Sequence, residues 1–377
     1  MMKRLLAISL RLCPRRLTIS PQGTCVQSRA LRGWNPSTNI APAGILNSVR
    51  LYSTRRRVYS RLPFNLATGF SVVVIGSVLY YVGTKRGGRK HAGSVSSSGR
   101  GSASSGIEGK SVLITGAAGD IGGATATAFA CKGATVILVD LPSTHDQLEK
   151  KCKELMAKGA KKAVFKTADV TRVEDVEQMT EFAVTNAGRI DCFFNNAGVQ
   201  GEFQPLHKQS NESFQKVMNV NIYGAFLGMK YVSQAMIESG GGGVIVNTAS
   251  LAGIIGPPNM GAYTASKHAV VGMTKTGAKD LAPHHIRVCA ISPGILEGKM
   301  WYSQVKGQAE CRKRLAGNNT DVTTEELKEM EQRKIDGTPM KRLGQLSEVA
   351  SVVVFLCSDE ASYLTGTVVP IDGGRLQ

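Results

Sequence analysis

Residues 110–377 predict one doubly wound α/β domain built on seven parallel strands, and three observations predict it. From Lys110 onward, short β-branched runs alternate with stretches of helical periodicity, the pattern of a parallel sheet covered on both sides. The first such run enters the glycine turn TGAAGDIG at 115–122 and then an Ala-rich helix. The whole alternation occupies about 270 residues, which one domain accommodates.

The strands are placed at 111–115 (SVLIT), 135–139 (TVILV), 163–166 (AVFK), 191–194 (DCFF), 244–247 (VIVN), 288–291 (VCAI) and 367–371 (TVVPI). Each is a short run rich in β-branched, aromatic or apolar residues. Helical spacing places helices at 121–132, 147–158, 173–186, 214–238, 262–281 and 347–357. The four glycines at 240–243 precede a strand rather than a helix, so they are not read as a phosphate loop.

The chain ahead of this domain has another character. Net charge is +18, yet the excess is local. Of 46 Lys and Arg, 17 fall between Lys3 and Arg100, where no Asp or Glu occurs, leaving 29 against 28 acidic residues elsewhere. That distribution argues for an address and against a nucleic-acid-binding face. Residues 1–61 are Arg-rich, contain Ser and lack acids, as a mitochondrial or plastid transit peptide does; Arg50-Leu51-Tyr52-Ser53 resembles a processing site cut after Tyr52. Within 62–84, residues 64–83 (FNLATGFSVVVIGSVLYYVG) carry no charge. As a helix they would span roughly 30 Å, the thickness of a bilayer core, so a transmembrane helix is expected, anchoring the chain in the inner mitochondrial membrane or another organellar one. Four basic residues on each side give no orientation. Residues 85–109 are Gly/Ser-rich and read as a flexible linker.

Candidate chemistry lies between 244 and 267. Ser250 follows the carboxyl end of a strand, where open α/β sheets hold ligands. Tyr263 and Lys267 are four apart on a helix and share a face. A free tyrosine has a pKa of about 10; an ammonium nearby favours its phenolate and makes it a usable general acid or base. Ser250 would hold the reacting oxygen. On these residues alone, a core tyrosine, an exposed lysine and a loop serine fit equally well. Gly116, Gly119 and Gly122 let backbone N–H groups approach a pyrophosphate, and Asp140 closes the second strand, placed for the ribose hydroxyls of an adenosine. Asp140 would repel a 2′-phosphate, and no cation occupies Ala117, Ala118 or Leu141, so NAD is favoured over NADP.

The ordered set resembles the short-chain dehydrogenase/reductase family across 110–377. The turn at 115–122, Asp140, Asp169-Val170, Asn195-Asn196-Ala197-Gly198, Asn221 in VMNVNIYGAF, the Ser250/Tyr263/Lys267 trio, Ser292-Pro293-Gly294 and the closing LTGTVVPIDGG follow one another in that family's order. The resemblance implies a Rossmann fold and cofactor contacts from Gly116, Gly119, Asp120, Ile121, Gly122, Asp140, Asp169, Val170, Asn196, Ala197, Gly198, Tyr263, Lys267, Pro293, Gly294 and Ile295. It implies that Tyr263 is the acid/base and that Lys267 lowers its pKa and holds the nicotinamide ribose. Ser250 then orients the substrate oxygen, and Asn221 holds a relay water. It also implies a homodimer or homotetramer, formed through the helices beginning near Phe214 and Ala262.

Two residues depart from the family pattern. Asp120 stands where a second glycine is usual, its side chain expected to turn to solvent, and Gly298 stands in place of a threonine that binds the carboxamide. SPGILEGKMW and NTASLAGIIGPPNMGAY resemble bacterial xylitol dehydrogenases, implying a polyol or small secondary alcohol held by Ser250, Tyr263, Met300 and Trp301. Hydroxysteroid, 3-oxoacyl and diketone substrates stay open, as does a catalytically silent membrane-tethered nucleotide-binding scaffold. The eight cysteines form no C-x-x-C pair, and His284 and His285 lack ligand spacing, so free thiols and no metal are expected.

Overall fold

The computed structural model describes residues 106–318 and 320–376, together with four strands earlier in the chain. The transit segment and nearly all of the linker lie outside these residues, apart from two paired strands, Leu17–Ile19 and Cys25–Gln27.

The run at 64–83, expected to be a transmembrane helix, shows no such helix among its described residues. Its described residues are the strands Phe70–Ile75 and Val78–Gly83, paired antiparallel with Phe70 opposite Gly83. Val, Ile and Tyr dominate FSVVVI and VLYYVG, and such residues favour strands; an uncharged run alone does not separate the two conformations. Among the described residues, no helix is long and apolar enough to cross a membrane.

In the C-terminal unit, β1 (Ser111–Thr115), β2 (Thr135–Asp140), β3 (Lys162–Thr167), β4 (Cys192–Asn195), β5 (Gly243–Thr248), β6 (Ile286–Pro293) and β7 (Val368–Ile371) form one parallel sheet in the order β7-β6-β5-β4-β1-β2-β3. The interior strands are buried on both faces: all of β1 and β4, and five of the six residues of β2. The edges are blunted. β3 is half-buried and carries Lys162 and Lys166, and β7 exposes Pro370, as edge strands tolerate.

Successive β1 side chains divide between two apolar layers. Val112 and Ile114 join Phe129, Leu148, Leu155, Val349 and Val353, which come from α1 (Asp120–Ala130), α2 (His145–Ala157) and α9 (Leu346–Cys357). Leu113 faces the other way, against Val176, Met179, Val232, Met236 and Ala278. Those come from α3 (Val173–Ala187), α5 (Ala225–Glu238) and α6 (Gly261–Leu281). Strand order reverses between β1 and β4, which opens a crevice at the carboxyl ends of the strands.

The single helix expected over 214–238 is interrupted. It begins as α4 (Asn211–Met218), capped by Ser210 Oγ accepting from Ser213 N, and loosens to a π-helical turn at Asn219–Gly224 before α5. α7 (Lys299–Leu315) and α8 (Thr324–Asp336) fill the interval before α9 and cover the carboxyl-end crevice.

Candidate active site

β1 delivers the chain into the glycine turn with Gly116 at φ 66°, and α1 starts at once. A side chain on Gly122 would collide with the Gly116 carbonyl, so only glycine lets helix and strand meet this closely. Gly119 caps α1 without a side chain, which leaves the helix's first amides and its positive end facing the crevice. This cradle fits a pyrophosphate. Beside it, Asp140 Oδ2 accepts from Ala118 N at 2.9 Å and Oδ1 from Leu141 N at 2.8 Å, so the carboxylate is held against the turn. Asp169 Oδ1 accepts from Thr171 N and Oγ1 at 2.9 and 2.8 Å. Thr115 Oγ1 accepts from Asn196 N, and Asn196 Nδ2 donates to Thr115 O, which ties the end of β4 to the end of β1.

Ser250 lies two residues past β5 in extended backbone, and its Oγ accepts from Ala252 N at 3.2 Å. α6 buries Tyr263, Ser266, Lys267, Val270 and Thr274 along one face. Tyr263 is 8% and Lys267 4% exposed. Lys267 Nζ donates to Thr248 O at 2.8 Å and stands 5.6 Å from the centre of the Tyr263 ring. The π-helical turn aims Asn221 inward. Its amide accepts from Val199 N, donates to Val199 O (both 2.8 Å) and donates to Ser266 Oγ at 3.0 Å, while Ser266 donates to Tyr263 O. The helix bearing the phenol and ammonium is thereby fastened to the loop after β4. Gly198 leaves these groups room: a Cβ there would sit 3.2 Å from Asn221 Oδ1 and 3.4 Å from Lys267 Nζ, close enough to push on both.

Burial sets both pKa values. It pushes the Tyr263 phenol up, with the Ser250 hydroxyl pulling back, and it pushes Lys267 down to about 8. For Tyr263 the larger cause is burial and the smaller is the Ser250 hydrogen bond. Lys267 still carries its charge at neutral pH.

Every predicted site residue except Gly122 and Asn221 lines one cavity of about 1590 Å³, large enough for a dinucleotide and a substrate together. Gly122 acts through packing and Asn221 through its hydrogen bonds. Trp301 is buried, and its Nε1 donates to Glu331 Oε1 at 2.7 Å; Met300 is exposed. Asp120 departs from expectation. Its Oδ2 accepts from Lys299 N at 2.6 Å and so caps α7 instead of facing solvent. Gly298, at φ 134°, is where a Cβ would lie 2.5 Å from that oxygen. The sequence reading missed Thr248, whose carbonyl holds Lys267, and the cations Lys334 and Arg375 on the cavity wall, which no local motif announces.

Residues 110–309 match the family described as short chain dehydrogenase, and 318–375 match that described as Enoyl-(Acyl carrier protein) reductase. Levodione reductase of Leifsonia aquatica is 39% identical over 264 residues, covering 70% of this chain and 93% of that protein. Cyclohexanol dehydrogenase of an Acinetobacter species is 37% identical, covering 70% and 94%. The crystal structure of NAD+-bound xylitol dehydrogenase superposes with a TM-score of 0.65 at 41% identity, covering 71% of this chain and 99% of that one. Since the likeness takes in almost the full length of each relative and coincides with the unit that houses the cavity, the chain belongs to the short-chain dehydrogenase/reductase family and is an oxidoreductase.

Proposed function

We propose that this enzyme interconverts a secondary alcohol and its ketone with NAD, and that Ser250, Tyr263 and Lys267 carry the proton. One observation carries the reading: these three side chains line the same cavity as the glycine turn and Asp140. A bound nicotinamide supplies the hydride acceptor or donor. Ser250 Oγ and the Tyr263 hydroxyl grip the substrate oxygen, and Tyr263 takes or returns its proton. Lys267, held by Thr248 O, keeps a positive charge close to the phenol, so the phenolate is favoured as the proton leaves. Asn221 keeps α6 in register with Val199, and a water on its amide would link Lys267 to solvent. Asp140 supports NAD over NADP, since the oxygens it would offer a ribose repel a 2′-phosphate. The NAD+-bound relative points the same way. Polyols and cyclic secondary alcohols are the first substrates to try, after xylitol dehydrogenase, cyclohexanol dehydrogenase and levodione reductase.

The test is NADH formation across an alcohol and polyol panel. Tyr263→Phe is expected to lose about 10²- to 10⁴-fold in kcat, the usual span for a positioned acid or base. Equal rates in the two proteins would remove Tyr263 from the chemistry. NAD binding with no turnover by the wild type would favour the silent scaffold.

The acid-free, Arg-rich 1–61 segment supports a mitochondrial address, and the uncharged 64–83 run supports attachment to a membrane. Import followed by carbonate extraction checks both: cytosolic protein defeats the first, and protein in the supernatant defeats the second. Exposed Phe214, Tyr223 and Phe226 on the α4–α5 stretch suit a dimer or tetramer interface, which light scattering reads directly.

A further inference from the structure

The cavity runs across the carboxyl ends of the sheet, and charged side chains of both signs line it, Asp120, Glu212, Lys216 and Glu297 among them. At the β2–β3 end the walls carry Asp140 and Asp169. At the β6–β7 end they carry Lys334 and Arg375, with Arg312 at the rim. Strand pairing fixes which end this is. Ile371 of β7 is in register with Pro293, and the Asp372 Cα lies 2.9 Å from where a Cβ on Gly294 would stand. Arg375 is three residues further on.

Lys334 is half-buried, its Nζ 5.7 Å from the centre of the Trp301 ring. Arg375 Nη1 donates to the main-chain O of Lys334 at 2.7 Å and to Thr338 Oγ1 at 3.0 Å, which seats the guanidinium against the turn that carries Lys334, close enough for the two charges to repel. Among the described residues neither forms an ion pair. The carboxylate one turn before Lys334, that of Glu331, is engaged by the Trp301 indole. Burial and the Arg375 charge push Lys334 down to about 8. Two adjacent, partly desolvated cations are costly to keep unless an anion meets them. The face that α7 turns to the cavity (Trp301, Gln304, Gln308, Arg312) carries no carboxylate; its indole N–H meets Glu331 and its two glutamine amides meet Met260 Sδ, so Arg312 is the cation on that face.

We propose that Lys334 and Arg375 form an anion subsite at the substrate end of the cavity, so that the substrate is a secondary alcohol bearing a carboxylate or a phosphate, such as a polyhydroxy acid. This rests on the alcohol–ketone reading and narrows it. It separates this chain from neutral alcohols of the kind named for cyclohexanol dehydrogenase and xylitol dehydrogenase.

The experiment compares xylitol, xylonate and xylitol 5-phosphate at saturating NAD, in wild type, Lys334→Met and Lys334→Arg. Met keeps the side chain's bulk beside Trp301, and Arg keeps the charge. A charge-assisted hydrogen bond corresponds to about 10- to 100-fold. Lys334→Met should therefore cut kcat/KM for the preferred anionic substrate by that factor, through KM, with xylitol and the KM for NAD unchanged; Lys334→Arg should restore most of it. Preference for xylonate over the phosphate, or the reverse, identifies the anion. Equal kcat/KM for neutral and anionic members in wild type overturns the proposal. So does an equal loss on all three, which means a structural role, or a raised KM for NAD, which assigns the cations to the cofactor. If none of the three turns over, the same comparison is read as the shift in melting temperature of NAD-loaded protein. Stabilisation by an anion in wild type but not in Lys334→Met then supports the subsite while the alcohol reading fails; its absence overturns the subsite too.

Discussion

Replacing Lys267 with Met should abolish turnover and change how stability depends on pH. In the folded protein Lys267 titrates at about 8 against an ordinary 10.5, and burial is the cause. At roughly 1.4 kcal/mol for each tenfold, holding this ammonium in the folded state costs roughly 3 kcal/mol at pH 7. The sign follows from proton counting. Between pH 8 and 10.5 the unfolded chain binds more proton at this residue than the folded one, so stability rises with pH across that window. At pH 9.5 the remaining cost is roughly 1.4 kcal/mol, which leaves a gap of roughly 2 kcal/mol between the two conditions. Met removes the charge but leaves Thr248 O without its donor, a loss of about 1–3 kcal/mol that does not depend on pH. Urea unfolding of both proteins at pH 7 and 9.5 isolates the charge. Lys267→Met, measured relative to wild type, should be more stable at pH 7 than at pH 9.5 by roughly 2 kcal/mol. Parallel pH profiles would refute the claim that a buried ammonium, hydrogen-bonded but without an ion-pair partner among the described residues, is kept here for the reaction at the expense of stability.

Asp140→Ala should lower the ratio of kcat/KM with NAD to that with NADP by about tenfold or more, since it removes the acceptor for a ribose hydroxyl and the charge that opposes a 2′-phosphate. An unchanged ratio would place cofactor choice elsewhere. Gly298→Thr, which restores the usual family residue, should destabilise by about 1–3 kcal/mol, because φ 134° strains a β-branched residue and its Cβ meets Asp120 Oδ2. In an Asp120→Gly background part of that cost should vanish, whereas losses that add to within about 0.5 kcal/mol would show the two positions to be independent.

All seven strands fall where the β-branched runs placed them, and α6 begins one residue from its expected start. Parallel strands buried on both faces announce themselves locally, and so do the glycine turn and an i, i+4 pair. What escaped was set by partners far away in sequence. The π-helical turn at Asn219–Gly224 has no composition of its own; it is visible only once Asn221 is seen bridging Val199 and Ser266. The start of α4 was legible and missed, because Ser210 is a good N-cap four residues before the expected start. At 64–83 hydropathy and β-propensity point to different conformations, since FSVVVI and VLYYVG are uncharged and also rich in strand-favouring residues. Lys334 and Arg375 lie 41 residues apart, and no periodicity brings such a pair together.

Asp120 and Gly298 read as two separate losses in the sequence, yet they form one arrangement in the fold. Gly298 has no side chain with which to cap α7, and the first amide of that helix is satisfied by Asp120 from across the crevice. Asp120 is also the first residue of α1, so one carboxylate faces the positive ends of two helices. Both helix ends act against the repulsion it would exert on a pyrophosphate. The exchange of glycine for aspartate in the turn requires a close approach by α7, and glycine at 298 permits it, since any Cβ there would strike the carboxylate. Because α7 carries Trp301, Gln304, Gln308 and Arg312 on the cavity lining, a single hydrogen bond ties the cofactor cradle to the element that shapes the far end of the cavity. Changes in the turn should therefore reach substrate KM as well as cofactor affinity, which no reading of either departure alone would suggest.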